Sequence, residues 1–176
     1  MTARSGSRRH DGDDLEDLVQ AEQDVRARVG DLDLDYGALA AVSNVYRVAN
    51  AVRSHMEQTV LRDDDLSWTS FQVLWVLWIW GDQETRQVAA ECGIAKGTLT
   101  GVVARLEERG LVARAAHPTD GRLVMVGLTD AGQRLIRRLF PRFNEQEAAV
   151  THRLDDAQRR ELAHLLREVL RSVDEL

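Results

Sequence analysis

Thirteen consecutive residues, Trp68 to Trp80, leave this chain few ways to fold. They read WTSFQVLWVLWIW, and once wound into a helix they present apolar side chains almost all round. Such a helix is buried on most sides. The longest unbroken apolar run, Val73–Trp80, is far short of the roughly 18–20 residues that a membrane span needs. The segment is therefore expected at the centre of the core or under a second subunit. Ser67 precedes it and can accept an N–H bond from its first turn.

The 176 residues suffice for one compact domain with an appended arm. The lone cysteine, Cys92, excludes an intrachain disulfide framework and a multi-cysteine zinc site. The opening MTARSGSRRHDGDD has charge but no apolar stretch, so it does not read as a secretory signal. A cytoplasmic protein without membrane association is expected. The net charge of −6 would argue against a nucleic-acid partner if it were evenly spread. It is not: residues 1–35 hold ten acids and five bases, whereas residues 36–176 hold nineteen and eighteen. The acidity belongs mainly to the arm. Lys96 is the only lysine among 23 basic residues, a bias that reflects a GC-rich genome as much as chemistry.

Residues 1–14 are polar and expected to fray. Residues 15–29 carry a broken apolar stripe closed by Gly30, and Asp31–Asp35 reads as a linker. Leu39, Val42, Tyr46, Ala49, Arg53, Met56 and Val60 then recur at spacings of three and four, which predicts a helix with one apolar seam, ended by Asp63–Asp65. Thr85 is expected to cap a short helix reaching Cys92, and residues 95–109 form the next, stopped by Gly110. Two β-like stretches, Leu111–Ala115 and Leu123–Leu128, flank HPTDGR, in which Pro118 and Asp120-Gly121 are turn residues. Thr129 is placed to cap a helix that Pro141 should kink or interrupt. Asp155 and Gln158 form a capping-box pattern ahead of a last helix, which carries Leu162, Leu165, Leu166, Val169, Leu170 and Val173 on one face.

Within this order, TRQVAAECGIAKGTLTGVVARLEERG has the spacing of a helix-turn-helix. Ala89 is small enough for a close helix crossing, Gly93 suits the reversal, and Leu99, Val102 and Val103 plug the second helix into the core. Two ordinary packed helices would share part of this pattern. The outward face, with Lys96, Gly97, Thr98, Thr100, Gly101 and Arg105, favours DNA: small residues permit close approach, and hydroxyls and cations suit phosphates and purine edges. The hairpin follows at once, with Arg122 at its tip beside Asp120 and Gly121. An arginine there can enter a narrow minor groove, and Asp120 can hold its guanidinium. An exposed hairpin carrying a chance arginine is the alternative.

The run GTLTGVVARLEERGLVAR, followed by HPTDGRLVMVGLTDAG, resembles the MarR (multiple antibiotic resistance regulator) family of winged-helix repressors, with Asp120, Arg122, Leu128, Thr129 and Gly132 as its signature. The resemblance extends from about Tyr36 to Leu176. It implies a mainly α fold with a winged helix-turn-helix, a small two-stranded wing, and terminal helices forming a dimerisation domain. On that reading residues 1–35 are an acidic arm with a short helix, residues 36–62 and 130–176 the dimerisation region, and residues 63–129 the DNA-binding lobe. Lys96, Gly97, Thr98, Thr100, Arg105, Asp120, Gly121 and Arg122 would contact DNA. Many members have serine where Ala95 stands and some a cation where Gly101 stands. The arm lacks the tryptophan of urate-responsive members.

Four tryptophans, Trp68, Trp75, Trp78 and Trp80, crowd one helix. They serve core and dimer packing, or Trp75 and Trp78 line a pocket for a small aromatic or phenolic effector, faced by Tyr46, Arg53 and His55. Arg53 in an apolar seam either awaits a ligand carboxylate, pairs with one of Asp63–Asp65, or reaches solvent. Cys92 is expected to be a buried, inert thiol rather than an oxidant sensor. His10, His55, His117, His152 and His164 show no metal-ligand spacing, and no catalytic constellation appears. The sequence thus predicts no enzyme, cofactor or metal. It predicts a homodimeric repressor that binds pseudo-palindromic double-stranded DNA and is released by a small effector. The alternatives are a winged-helix protein-interaction module and an enzyme using Cys92.

Overall fold

The computed structural model of the protein describes residues 15–117, 119–120 and 122–176, with side chains from Val19 onward. The expectation for residues 1–14, the turn roles of Pro118 and Gly121, and His10 lie outside the described residues. The chain divides into two compact units, residues 1–50 and 51–176.

The first unit contains helix α1, Leu15–Val29, and most of helix α2, Tyr36–Met56. The Tyr36 hydroxyl donates to the Val29 carbonyl at 3.0 Å, and the Asn44 amide donates to Glu22 at 2.7 Å. Arg26 lies over the Tyr36 ring, 5.1 Å from its centroid. These contacts hold α1 against the start of α2. The upper seam of α2, including Leu39, Val42 and Tyr46, is exposed.

In the second unit, the end of α2 turns its seam into a core: Met56 and Val60 are buried. Regular helix stops at Met56, earlier than the acidic run predicts. It gives way to a wider π turn over Glu57–Leu61 and a 3-10 turn over Arg62–Asp64. The reversal ends at Asp65, whose φ of 49° is left-handed. Ion pairs and backbone bonds fix this bend. Asp63 pairs with Arg142 and Asp64 with Arg138, while the Arg109 guanidinium donates to the carbonyls of Asp64 and Asp65 at 2.6 and 2.7 Å.

Helix α3, Trp68–Trp80, begins as expected: Ser67 Oγ accepts from the Ser70 N–H at 3.2 Å. Phe71, Val73, Leu74, Val76 and Leu77 are buried, each burial stabilising by about 1.5–3 kcal/mol relative to exposure. Phe71 stacks on Phe143 and Trp75 on Phe140, at centroid distances of 4.2 and 4.3 Å. Burial is not complete all round, because Ile79 and Trp80 in the last turn are exposed.

A two-residue strand β1, Gln83–Glu84, leads into α4, Thr85–Glu91, then α5, Lys96–Glu108, strands β2, Val112–Ala116, and β3, Val124–Leu128, and helices α6, Asp130–Val150, and α7, Asp156–Asp174. The sheet is antiparallel with order β1-β3-β2. It has three strands rather than the expected two; β1 is too short to show a periodicity of its own. Glu84 opposes Met125, and its extended backbone places it, not Thr85, at the position before α4. Its N–H donates to the Gln87 side chain at 3.1 Å. Thr129 caps α6 and Asp155 caps α7, both as expected. Pro141 does not interrupt α6, which runs unbroken to Val150. Its ring removes one N–H donor on the exposed side of the helix, where water can reach the carbonyl it would have bonded.

Candidate functional site

Helices α4 and α5 cross over Ala89, which is buried, and the chain reverses at Gly93 with φ of +62°, a conformation that favours glycine. The Gly93 and Ile94 N–H groups bond back to Ala90 and Ala89, closing the first helix of the pair. Helix α5 drives Leu99, Val102, Val103 and Leu106 into the core. Its other face exposes Lys96, Gly97, Thr98, Thr100, Gly101 and Arg105 together.

Gly97 and Gly101 carry the most information on that face. A methyl group at either would meet nothing within 4 Å, and neither has a positive φ. Glycine inside a helix costs about 0.5–1 kcal/mol relative to alanine. Neither local conformation nor packing within the chain requires it here. What the glycines provide is a flat track along α5, open to close approach from outside. Ala95 offers no side-chain cap, so the first-turn N–H groups are left facing outward beside Lys96, a suitable place for an anion. The Thr100 hydroxyl donates to the Lys96 carbonyl at 2.9 Å, which leaves its lone pairs available.

The hairpin lies next in the chain. His117 N–H donates to the Leu123 carbonyl at 3.1 Å and Leu123 N–H to the Asp120 carbonyl at 2.9 Å. The Asp120 carboxylate accepts from the Arg122 N–H at 3.1 Å and stands 3.6 Å from its Nε. Arg122 is 94% exposed, so this pair contributes little stability; it orients the guanidinium. His117 Nδ1 accepts from the N–H groups of Thr119 and Asp120, which fixes the loop from inside. Gly121 lies outside the described residues.

Two further arginines brace this surface. Arg114 on β2 pairs with Glu107 at 2.6 Å, neutralising an acid on α5. Arg109 ties the end of α5 to the bend after α2. Neither has a sequence signal, since the partners meet only through the tertiary fold.

Of the proposed effector residues, Trp75 and Trp78 pack together at 5.6 Å and both meet Phe140. The His55 ring is hydrogen-bonded to Gln146 at 2.8 Å. Arg53 is exposed, while Val52 and Met56 face the core, and it forms no ion pair with Asp63–Asp65. The carboxylates of Asp63 and Asp64 are held by other arginines. Tyr46 belongs to the N-terminal unit and is 67% exposed.

Cys92 is buried at the end of α4, and burial, with the Glu91 charge beside it, pushes its thiol up to about 11. Against the ordinary 9.0, that leaves about a hundredfold less thiolate at neutral pH. Thiol-reactive dye should therefore label the native protein slowly and the urea-unfolded protein fast. Rapid native labelling would reopen the sensor reading. Among the described residues no cluster of acids, histidines and cysteine is arranged to hold a metal, and no helix is long and apolar enough to cross a membrane.

The model of the MarR family matches residues 66–124, from the entry to α3 through the helix pair to the start of β3. The chain is 36% identical over 136 residues to an uncharacterized HTH-type transcriptional regulator, YwaE, of Bacillus subtilis, covering 77% of this chain and 80% of the relative. A MarR family regulator of Streptomyces coelicolor, solved in complex with DNA, superposes with a TM-score of 0.72 at 25% identity, over 79% of this chain and 89% of that one. BpsR of Bordetella bronchiseptica, whose DNA binding is regulated by 6-hydroxynicotinic acid, superposes with a TM-score of 0.67 at 30% identity, over 73% and 97%. With a winged helix-turn-helix built from its own residues and relatives that are transcriptional regulators rather than enzymes, the chain belongs to the MarR family of HTH-type, DNA-binding transcriptional regulators.

Proposed function

We propose that the protein is a homodimeric repressor that occludes a promoter by binding a pseudo-palindromic operator, and that a small aromatic or phenolic effector releases it. Residues 63–129 are the DNA-binding lobe, residues 36–62 and 130–176 supply the dimer contacts, and residues 1–35 are an accessory arm. Lys96, Gly97, Thr98, Thr100 and Arg105 meet the major groove, and Asp120, Gly121 and Arg122 meet the flanking minor groove. The observation that carries this reading is the glycine track of α5, which packing within the chain does not require. Half-sites one helical turn apart follow from twofold symmetry. Effector contacts from Arg53, His55, Trp75 and Trp78 are the reading's second part, supported by the ligand regulation of BpsR. An effector acts only by favouring the arrangement that does not bind DNA.

Selection of bound duplexes from random DNA tests the reading. A two-half-site motif is expected; no enrichment would favour a protein-interaction module. With the selected operator, Arg122→Ala should weaken binding about tenfold and lower the salt dependence by about one counterion, with an unchanged melting temperature. Wild-type affinity would remove the wing from the interface. Gly101→Leu should act in opposite directions on two readouts. It should raise helix stability by about 0.5–1 kcal/mol and cut operator affinity more than about tenfold, read by thermal melting and gel shift. Unchanged affinity would show that α5 does not approach DNA at that point.

A further inference from the structure

Two arginines of the second unit are held in the same way. Arg86, in the first turn of α4, donates its Nε–H to the Glu84 carboxylate at 2.7 Å. Arg122, the proposed wing contact, stands with its Nε 3.6 Å from Asp120. In each case the acid lies two residues earlier, and the arginine side chain is 73% or 94% exposed. Arg109, Arg114, Arg138 and Arg142 differ: their terminal nitrogens are spent on carbonyls or acids within the chain. Among the described residues, the two Nη groups of Arg86 meet no hydrogen-bond partner.

Glu84 is a firm anchor for this side chain. It is 13% exposed, its backbone pairs with Met125 in β3, and its N–H donates to the Gln87 side chain at 3.1 Å. An ion pair with one partner so exposed adds little stability. It fixes a planar fork instead: with Nε occupied, the remaining N–H donors are left for a partner outside the chain. Such a fork matches two oxygens of a phosphate.

The place of Arg86 in the fold selects the phosphate. Ala89, where α4 crosses α5, lies three residues on, so Arg86 stands on the adjoining face of α4. Through Glu84 it is also tied to β3, the returning strand of the wing. In a helix-turn-helix the first helix crosses the nucleic-acid backbone while the second enters the groove. We propose that Arg86, held by Glu84, takes a backbone phosphate of the bound duplex between the groove entered by α5 and the groove met by the wing. The contact carries no sequence information; it fixes the register of the lobe on the duplex. The inference rests on the DNA-binding reading and gives α4 a contact that reading does not assign.

Titration of fluorescent duplexes with the full chain over a salt series tests it. The probes are the selected operator and a mixed-sequence duplex of about three helical turns. Arg86→Gln should weaken both by the same factor, at least about fivefold, and flatten the dependence of log affinity on log salt by about 0.9 for each subunit engaged. Arg86→Lys keeps the charge but cannot be gripped at Nε while forking a phosphate. It should retain the slope and still lose about threefold in affinity. The side chain is exposed, so neither variant should shift the melting temperature. Wild-type affinity and slope in Arg86→Gln would overturn the proposal, as would a loss confined to the operator, which would make Arg86 a reader of bases. Lysine equal to arginine would reduce the contact to a point charge and overturn the held fork. A wild-type chain that binds neither duplex sinks the DNA-binding reading itself, whereas wild-type binding that Arg86→Gln retains in full sinks this contact alone.

Discussion

Leu166→Glu on α7 is expected to leave the winged lobe folded while splitting the proposed dimer and lowering affinity for the proposed operator by more than about a hundredfold. Helix α7 is well begun: Asp155 accepts from the Gln158 N–H at 2.9 Å, and the Gln158 side chain accepts from the Asp155 N–H at 2.9 Å. It nevertheless buries none of its residues within one chain. Leu162, Leu165, Leu166, Val169, Leu170 and Val173 form an open apolar face, with Leu170 65% exposed. A contiguous apolar face of this kind marks an interaction surface. In a twofold dimer each substitution occurs twice, so two carboxylates would enter an apolar contact, each at a cost of several kcal/mol or a shifted protonation state. A monomer also loses the second half-site, and with it a gain of about 10²–10⁴ from intramolecular engagement. Sedimentation, circular dichroism and gel shift read the three consequences. A variant that remains dimeric with full affinity would place the dimer contacts elsewhere.

The caps illustrate what was legible in the chain. Ser67, Thr129 and the Asp155–Gln158 pair all act within three residues, as does the left-handed reversal at Gly93, so their chemistry is local and readable. The inward row Leu99, Val102, Val103 and Leu106 is equally local, and it fixed by subtraction which side chains of α5 face outward. The bend after α2 was not legible. Arg109, Arg138 and Arg142 hold residues 63–65 from 44 to 79 positions away, and no periodicity encodes such pairings. Glu84 is a mixed case: its bond to Gln87 is local, but the strand that holds its backbone extended pairs with Met125, across the helix-turn-helix. Arg53 shows a different limit. The seam places it with Met56 and Val60, yet the core takes Val52 and Met56 and leaves Arg53 on the surface of the chain. A seam read at 3.5-residue spacing does not say where one helix passes from one set of neighbours to the next.

Gly132→Val is expected to destabilise the second unit by about 2–4 kcal/mol and to lower its melting temperature by about 10 °C. The sequence marked Gly132 as part of a signature without a reason, and the structure supplies one. A Cβ at this position would sit 2.0 Å from the Leu111 carbonyl oxygen and 3.0 Å from its carbon. Those atoms are backbone and cannot move aside as a side-chain tip would. The same carbonyl accepts the Thr129 N–H at 3.1 Å, and the Thr129 hydroxyl donates to the Gly110 carbonyl at 2.6 Å. Thr129 Oγ1 in turn accepts the Gly132 N–H at 3.1 Å, capping α6. Pushing α6 away from residues 110–111 therefore loosens a cap worth about 1 kcal/mol and adds the usual 1–3 kcal/mol of overpacking. Gly110, with φ of +67°, sits between α5 and β2, so the strain falls at the root of the wing. Operator binding should persist at low temperature, where the lobe stays folded, and should fail well below the wild-type melting point. Calorimetry and gel shift across a temperature series separate the two effects. A melting temperature within about 2 °C of wild type would mean that α6 can shift without cost, and that the close approach at Gly132 does not fix its position.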